Sequence, residues 1–216
     1  MLLVGFEAYG GRGLNPAAEI CNAIDGHSIA GTTVRGAVLP VRYEEMVARL
    51  DALINRHDPS ALICLGLWPG EAMIRLERFG VNLNDFEIPD NDGAVNCGPI
   101  ETDGPDARRA TLPLERIRES LLLAGIPARM SSSAGNFLCN AILYSALGLL
   151  ERRRATLPCG FIHLPYMPEQ VVSILADMKC GQSLELHQRA DLASMSFDLS
   201  TRAVRIAIET TLEGIA

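Results

Sequence analysis

One cysteine in this sequence stands where a nucleophile can be activated. Cys139 follows a small, polar stretch at 131–136 and precedes an apolar run at 141–150 that predicts a helix. Asn136 suits the N-cap of that helix, which would put Cys139 in its first turn. Unpaired N–H groups and the helix dipole there favour a thiolate, the nucleophilic form, and can lower the thiol pKa. The alternative is a small buried core residue, which is the usual role of a free cysteine.

A histidine further along the chain could act as the base for this cysteine. Residues 160–164 are apolar apart from His163 and predict a short buried strand, after which Pro168 suits the first position of a helix. His163 would then lie near the end of a strand, where α/β proteins build their sites. A lone histidine in an apolar strand is more often a hydrogen-bonded core residue. A helix-start cysteine and a strand-end histidine nevertheless suit a nucleophile and its base.

The elements that would position these residues alternate between strand and helix. The predicted strands are 2–6, 32–39, 61–67, 127–132 and 160–164, with 73–78 also extended. The predicted helices are 16–26, 43–57, 114–123, 141–150, 198–212 and one that starts at Pro168. Such alternation predicts a largely parallel sheet covered by helices on both sides, within a single domain over residues 1–216.

Residues 84–109 interrupt this alternation with a long polar stretch that contains three glycines and three prolines. A loop of that length inside a compact domain is commonly functional or mobile. A solvated insertion explains the composition equally well, so the sequence leaves both interpretations open.

Charge and cysteine usage narrow the classes of function. The formal net charge of −7 argues against a nucleic acid or an anionic membrane as partner. The chain starts directly with strand-like residues and has no apolar stretch of transmembrane length, so we expect no signal peptide and no membrane span. Its six cysteines are scattered without a Cys-x-x-Cys pair, which favours reduced thiols in the cytoplasm. They are Cys21, Cys64, Cys97, Cys139, Cys159 and Cys180.

Two motifs around the cysteine and the histidine resemble the signatures of the pyroglutamyl peptidase I family, also called pyrrolidone-carboxylate peptidase. They are Ser133-Ala134-Gly135…Cys139-Asn140 and Gly160-Phe161-Ile162-His163-Leu164-Pro165-Tyr166…Pro168-Glu169-Gln170. Shorter matches keep the family's order and rough spacing as far as about residue 170. These are Gly5-Phe6-Glu7, Gly10-Gly11, Asn15-Pro16, Glu77-Arg78, Asn82 and Ile88-Pro89-Asp90-Asn91.

The resemblance implies a fold and a set of catalytic residues. The fold would be a three-layer α/β/α sandwich of the phosphorylase/hydrolase type, with a largely parallel mixed sheet. Cys139 would attack the substrate carbonyl, and His163 would form an ion pair with it and then protonate the leaving amine. Glu77 would orient the imidazole, a role that only the resemblance assigns, because a glutamate beside an arginine is usually a surface ion pair. Backbone N–H groups at the start of the Cys139 helix would stabilise the oxyanion.

The resemblance also implies the substrate. Family members remove N-terminal pyroglutamyl residues from peptides, and this compact uncharged ring needs an apolar slot with a few polar contacts. The matching pocket positions are Phe6, Tyr9, Leu67, Ile88, Phe137 and Leu138. The family implies neither a metal nor an organic cofactor, and its members commonly form homotetramers, so we expect a homo-oligomer, tetramer or dimer.

Two departures from the family pattern keep alternatives open. Leu67 stands where the family often has glutamine, and Glu87 stands where it has arginine, so a member with shifted substrate preference or reduced activity is one alternative. A nucleoside phosphorylase would need a better phosphate site than the turn at 10–13, and a class I glutaminase would need a Gly-x-Cys-x-Gly elbow. A non-catalytic binding module is the remaining alternative.

Overall fold

A computed structural model describes residues 1–179 and 192–215, so that Cys180 lies outside the described residues. The strands are β1 (Leu2–Phe6), β2 (Ser28–Ile29), β3 (Thr32–Thr33), β4 (Arg35–Leu39), β5 (Leu62–Leu67), β6 (Ile74–Glu77), β7 (Phe79–Val81), β8 (Asn84–Asp85), β9 (Cys97–Gly98), β10 (Ala107–Arg109), β11 (Ala128–Ser131) and β12 (Cys159–Leu164). The helices are α1 (Pro16–Ile24), α2 (Tyr43–His57), α3 (Leu114–Leu123), α4 (Leu138–Arg152), α5 (Pro168–Lys179) and α6 (Phe197–Glu213).

Six of the strands form one central sheet in the order β11-β6-β12-β5-β1-β4. Neighbouring strands run parallel except β12 and β6, which are antiparallel, so β6 and β11 run against the other four. The predicted largely parallel mixed sheet is therefore confirmed. Continuous apolar runs such as β5, which is buried throughout, are typical of strands covered on both faces.

Alternation along β1 shows how the sheet separates two layers of helices. Leu2 and Val4 pack with side chains of α2 and α4, whereas Leu3 packs with side chains of α1, α3 and α6. Successive side chains of a strand point to opposite faces, so these helices lie on opposite sides of the sheet. This arrangement confirms the predicted three-layer α/β/α sandwich.

The predicted strand 32–39 is wrong as a single element. Thr32 and Thr33 pair with β2 in a small antiparallel hairpin, and β4 begins at Arg35 and pairs with β1. Between them, the Val34 N–H donates to the His27 carbonyl. The strand is interrupted because its two halves pair with different partners, which local propensity does not reveal.

The polar stretch 84–109 is neither a regular element nor a uniformly solvated insertion. It contains the short pair β8–β9 and the strand β10, which pairs with β7 outside the stretch, and it buries Phe86 among side chains of the α2 and α4 layer. Its first part thus lies against the core beside the pocket described below. None of the described helices combines the length and apolar character needed to cross a membrane.

Candidate active site

Three adjacent strands align the centre of the site. His163 of β12 lies in register with Gly66 of β5 on one side and with Arg75 of β6 on the other. Partners in register point to the same face of a sheet, and here that face is the one covered by α4. Glu77 is two residues beyond Arg75, so it shares this face and lies diagonally across from His163.

The imidazole of His163 and the carboxylate of Glu77 form a buried hydrogen bond. His163 Nδ1 and Glu77 Oε1 are 2.8 Å apart, and the two side chains are 1% and 0% exposed. A carboxylate only accepts, so Nδ1 carries the proton and Nε2 is left as the acceptor of the neutral ring. The structure thus brings the predicted orienting residue to the predicted base, in the arrangement that prepares an imidazole to take a proton.

The helix that carries Cys139 begins differently from the prediction. Phe137, not Asn136, is the N-cap of α4, with extended backbone and no side-chain cap. Asn136 is one residue too early, and its carbonyl accepts a hydrogen bond from the Asp85 N–H at 3.1 Å. Cys139 nevertheless lies in the first turn, as predicted. The first-turn N–H groups lack a side-chain cap, so they are free to donate to a ligand.

Asn140 anchors this first turn to the rest of the molecule. Its amide donates to the carbonyls of Val81 and Leu83 at 2.9 and 3.0 Å, and its oxygen accepts from the Val81 N–H at 2.8 Å. The side chain is fully buried, so water does not reach its polar atoms and these three hydrogen bonds satisfy them instead. Asn140 therefore ties the segment that carries Cys139 to β7.

The absence of a side chain at Gly66 makes room for the cysteine sulfur. A Cβ built at Gly66 would lie 2.8 Å from Cys139 Sγ and 2.7 Å from the Phe161 ring. Both contacts are shorter than real Cβ atoms make, so any larger residue would displace the sulfur or the ring. Gly66 is also the register partner of His163. Cys139 Sγ therefore lies over the strand next to the one that carries the imidazole, on the same face of the sheet.

The sequence-based expectation of a lowered thiol pKa at Cys139 is wrong. Burial, and after it the negative charge of Glu77, raises the pKa of Cys139 to about 12. The hydrogen bond from the backbone N–H of Cys139, in the first turn of α4, lowers this pKa by less. Burial also lowers the pKa of His163, although its hydrogen bond and charge interaction with Glu77 oppose this effect. The raised thiol pKa and the lowered imidazole pKa both favour a neutral Cys139 beside a neutral His163 in the free site, rather than a preformed ion pair.

Arg75 and Trp68 complete the surroundings of His163, and sequence reasoning did not single out either of them. Arg75 Nε donates to Glu77 Oε1 at 2.7 Å, and its guanidinium lies 3.6 Å from the centroid of the Trp68 ring. The Trp68 ring meets the imidazole edge-on, with centroids 5.0 Å apart. Arg75 and Glu77 are two residues apart, which in a strand means the same face, and this was the available signal.

A single pocket of about 220 Å³ contains both Cys139 and His163 among its lining residues. All six predicted binding residues line it as well: Phe6, Tyr9, Leu67, Ile88, Phe137 and Leu138. Aromatic contacts order its wall, with Phe137 packed against Tyr9 at 6.2 Å and against Phe86 at 4.6 Å between centroids. The lining is thus mainly apolar, as expected for a slot that takes a compact uncharged ring.

Glu87 and Trp68 line the same pocket. Glu87 is exposed to solvent, and it belongs to the stretch 84–109, so part of that stretch forms the pocket wall. Across residues 1–179 and 192–215, no group of three or more histidine, cysteine, aspartate or glutamate side chains is arranged to hold a metal ion.

Comparison with known proteins assigns the chain to a family. The sequence profile of the pyroglutamyl peptidase family matches residues 1–214. The chain belongs to the pyroglutamyl peptidase family. It is therefore an enzyme of a cysteine peptidase family, which sets aside the phosphorylase and glutaminase alternatives.

Relatives named pyrrolidone-carboxylate peptidase support this assignment over nearly the whole chain. The one from Pyrococcus furiosus is 36% identical over 214 residues, which are 99% of this chain and 98% of that protein. The one from Gloeobacter violaceus is 41% identical over 175 residues, which are 80% of this chain and 84% of that protein.

Solved structures of this family share the fold. The pyrrolidone carboxyl peptidase of Thermococcus litoralis superposes with a TM-score of 0.90 at 35% identity, covering 99% of this chain and 93% of that one. A mutant enzyme from Pyrococcus furiosus also gives 0.90, at 36% identity, and covers 100% of this chain and 99% of that one. The residues that the structure describes therefore share the fold of these pyrrolidone carboxyl peptidases.

Proposed function

We propose that this protein removes N-terminal pyroglutamyl residues from peptides with a Cys139–His163–Glu77 triad. The observation that carries the proposal is that Cys139 and His163 line one apolar pocket, while the Nδ1 of His163 is bound to the buried carboxylate of Glu77. Membership of the pyroglutamyl peptidase family supports the substrate class.

The reaction would begin with transfer of the Cys139 thiol proton to Nε2 of His163. The sulfur then bonds to the carbonyl carbon that joins the pyroglutamyl ring to the next residue, and the carbonyl oxygen takes the negative charge. N–H groups in the first turn of α4 would donate to this oxyanion, since no side chain caps them. Glu77 stabilises the imidazolium that has formed.

The second half of the reaction returns the enzyme to its starting state. The imidazolium of His163 gives its proton to the leaving amine, the C–N bond breaks, and a thioester remains on Cys139. Water attacks the thioester while His163 takes one of its protons. The C–S bond then breaks, pyroglutamate leaves, and the thiolate recovers the proton from His163.

Replacement of the nucleophile tests this function. We expect Cys139→Ala to abolish release of amine from a pyroglutamyl-coupled reporter, with an unchanged thermal unfolding midpoint, because the substitution is small. Cys97→Ala is the matched control: Cys97 is an exposed cysteine of β9 outside the pocket, and its replacement should leave turnover unchanged. Hydrolysis that persists in Cys139→Ala would show that another residue is the nucleophile.

A second candidate is a family member with shifted substrate preference, and the positions of Leu67 and Glu87 favour it. Both line the pocket, Leu67 as a buried residue and Glu87 as a solvent-exposed one, so both departures from the family pattern lie where a substrate would bind. Leu67 cannot hydrogen-bond to a lactam, and one such contact is typically worth about 0.5–1.5 kcal/mol. Glu87 adds a negative charge to a pocket in which a thiolate and an oxyanion must form.

Reversion of these two residues tests the second candidate. We expect Leu67→Gln and Glu87→Arg each to raise kcat/KM on a pyroglutamyl substrate, by up to about tenfold if one hydrogen bond is gained. Unchanged kcat/KM in both variants would remove the basis for a shifted preference. The single domain over residues 1–216, the homo-oligomeric state and the cytoplasmic location stay predictions.

A further inference from the structure

One buried arginine connects two parts of the site that arrive from different regions of the chain. Arg75 is 8% exposed, and its Nε donates to Glu77 Oε1 at 2.7 Å. Its Nη2 donates at 2.6 Å to the carbonyl of Ser133, in the segment that leads into α4 and Cys139. The same guanidinium therefore holds the carboxylate behind His163 and the backbone before the nucleophile.

We propose that Arg75 is a positioning residue that sets the placement of Cys139 relative to the His163–Glu77 pair. A guanidinium presents its donors in a rigid planar fork, so two acceptors bound to it are held at a fixed separation. A lysine ammonium reaches one of these acceptors as a point charge but does not impose their relative geometry. The proposal rests on the proposed function, since it names the residue that aligns that triad.

Trp68 supports this alignment from the pocket side. Its ring lies against the guanidinium of Arg75 on one side and meets the imidazole of His163 with its edge. A Cβ built at Gly135 would lie 3.3 Å from the ring, so the nucleophile segment runs past Trp68 with room for glycine but little more. The indole thus fills the space between the arginine, the base and that segment, which keeps the three from shifting independently.

Arg75 also contributes to the charge balance around His163. Glu77 Oε1 accepts from both Arg75 and His163, while its Oε2 is buried without a hydrogen-bond partner among the described residues. The positive charge of Arg75 lowers the pKa of His163, and Glu77 and the more distant Glu71 raise it. Removal of Arg75 should therefore make His163 easier to protonate. The charged groups that shift the pKa of His163 are Glu77, Arg75 and Glu71. Arg129 interacts with Glu71 and Glu77, Cys64 interacts with Cys139, and Tyr9 and Glu87 line the same pocket as Cys139 and His163.

Three variants test the proposal. Arg75→Met removes the charge and both hydrogen bonds but keeps much of the side-chain length. Arg75→Lys keeps the charge but loses the fork. Arg108→Met is the matched control, because Arg108 of β10 is also buried and stacked on an aromatic ring, that of Tyr144, yet hydrogen-bonds Glu101 and Glu151 instead of Glu77.

The measurements are kcat and KM on a pyroglutamyl reporter and the pKa of His163 from NMR titration of its imidazole. We expect Arg75→Met to lower kcat on the order of 100-fold with little change in KM, because misalignment affects the chemical step. The pKa of His163 should rise in this variant. Arg75→Lys should show a smaller loss of kcat and an unchanged His163 pKa, and Arg108→Met should behave as wild type in both measurements.

Each outcome decides the proposal. Wild-type kcat in a folded Arg75→Met or in Arg75→Lys would overturn it, as would a His163 pKa that does not move in Arg75→Met. If Arg75→Met does not fold, Arg75→Lys decides: a reduced kcat with an unmoved His163 pKa supports positioning. If wild type does not hydrolyse the reporter, the proposed function fails. The positioning role is then judged by the rate of Cys139 alkylation: a rate in Arg75→Lys that differs from wild type supports the role, and a wild-type rate in both Arg75 variants overturns it.

Discussion

Among the described residues, two buried arginines stack on aromatic rings, and each binds carboxylates. Arg75 lies 3.6 Å from the centroid of Trp68, and Arg108 of β10 lies 4.1 Å from that of Tyr144. They are 8% and 6% exposed. Arg108 donates to Glu101 at 2.6 Å and to Glu151 at 2.8 Å, so its bonds are as short as those of Arg75.

The two clusters differ in what else their carboxylates bind. Glu77 is fully buried and shares its Oε1 between Arg75 and the imidazole that lines the pocket. Glu101 and Glu151 are 39% and 59% exposed, and they bind Arg108 at the surface of α4, away from Cys139 and His163. A stacked, buried arginine is therefore not by itself a sign of function. The Arg75 cluster differs from the Arg108 cluster because its acceptor, Glu77 Oε1, also binds a titratable side chain of the pocket, His163.

Removal of one carboxylate charge from each cluster should separate them most clearly. We expect Glu77→Gln to lower kcat by about 10³–10⁴-fold, because the amide no longer stabilises the imidazolium that forms during attack. Glu101→Gln should leave kcat unchanged. It should cost about 1 kcal/mol or less of unfolding free energy, because the Glu101 carboxylate is 39% exposed. Steady-state kinetics and urea unfolding of both variants check this contrast. Equal losses of kcat in Glu77→Gln and Glu101→Gln would contradict the distinction between the two clusters.

A methyl group added beside each cluster sharpens the comparison. A Cβ at Gly66 would press on Cys139 Sγ and Phe161, whereas a Cβ at Gly148 would lie 2.9 Å from the guanidinium carbon of Arg108. Overpacking typically costs about 1–3 kcal/mol, so Gly66→Ala should lower stability. Gly148→Ala meets only the end of a flexible side chain and lies inside α4, where alanine is favoured over glycine, so it should cost less. Only Gly66→Ala should also lower kcat, on the order of 100-fold, because it displaces the nucleophile. A folded Gly66→Ala with wild-type kcat would contradict the placement of Cys139 Sγ.

The pH dependence of cysteine alkylation tests the neutral thiol and imidazole of the free site. Since the pKa of Cys139 is raised to about 12, its thiolate fraction should grow with rising pH throughout the neutral range. We expect the rate of iodoacetamide modification at Cys139 to rise about tenfold per pH unit between about pH 6 and 9. Arg108→Met should leave this profile unchanged. A rate that is already constant at mildly acidic pH would indicate a preformed thiolate–imidazolium pair instead.

The smallest kinetic effect is expected in the Arg108 cluster. Arg108→Met should lower the unfolding free energy by about 1.5–3 kcal/mol, which is typical for lost hydrogen bonds to charged groups. Its kcat, KM and His163 pKa should equal those of wild type. Urea unfolding together with the NMR titration measures both quantities. A shifted His163 pKa in this variant would mean that the two clusters are coupled through α4.

The fold could be predicted where hydrophobic periodicity is strong. The bounds of β1, α2 and α3 match the predictions residue for residue, because their apolar positions recur at strand or helix spacing and turn residues delimit them. The break at Val34 could not be foreseen, since it depends on which strands pair. Asn136 is not the N-cap of α4, because the helix begins one residue later and the Asn136 carbonyl accepts from the Asp85 N–H.

The site was predictable in its residues but not in its electrostatics. Sequence motifs indicated Cys139 and His163, while Glu77 came only from the family resemblance, because the antiparallel pairing of β6 with β12 brings it to the imidazole. The thiol pKa was predicted in the wrong direction, since burial and a nearby carboxylate outweigh a helix end. The role of Arg75 was not predictable, because it depends on the carbonyl of Ser133, which is 58 residues away in sequence.

Trapping of the covalent intermediate tests the central claim most directly. The wild-type protein would be mixed with a pyroglutamyl reporter, quenched in acid within the first turnover, and digested for mass mapping of the six cysteines. The account predicts a pyroglutamyl thioester on Cys139, and none on the other cysteines or in the Cys139→Ala variant. Turnover of the reporter by the wild-type protein with the acyl group on another residue, or with no acyl group on Cys139 at any quench time, would contradict it.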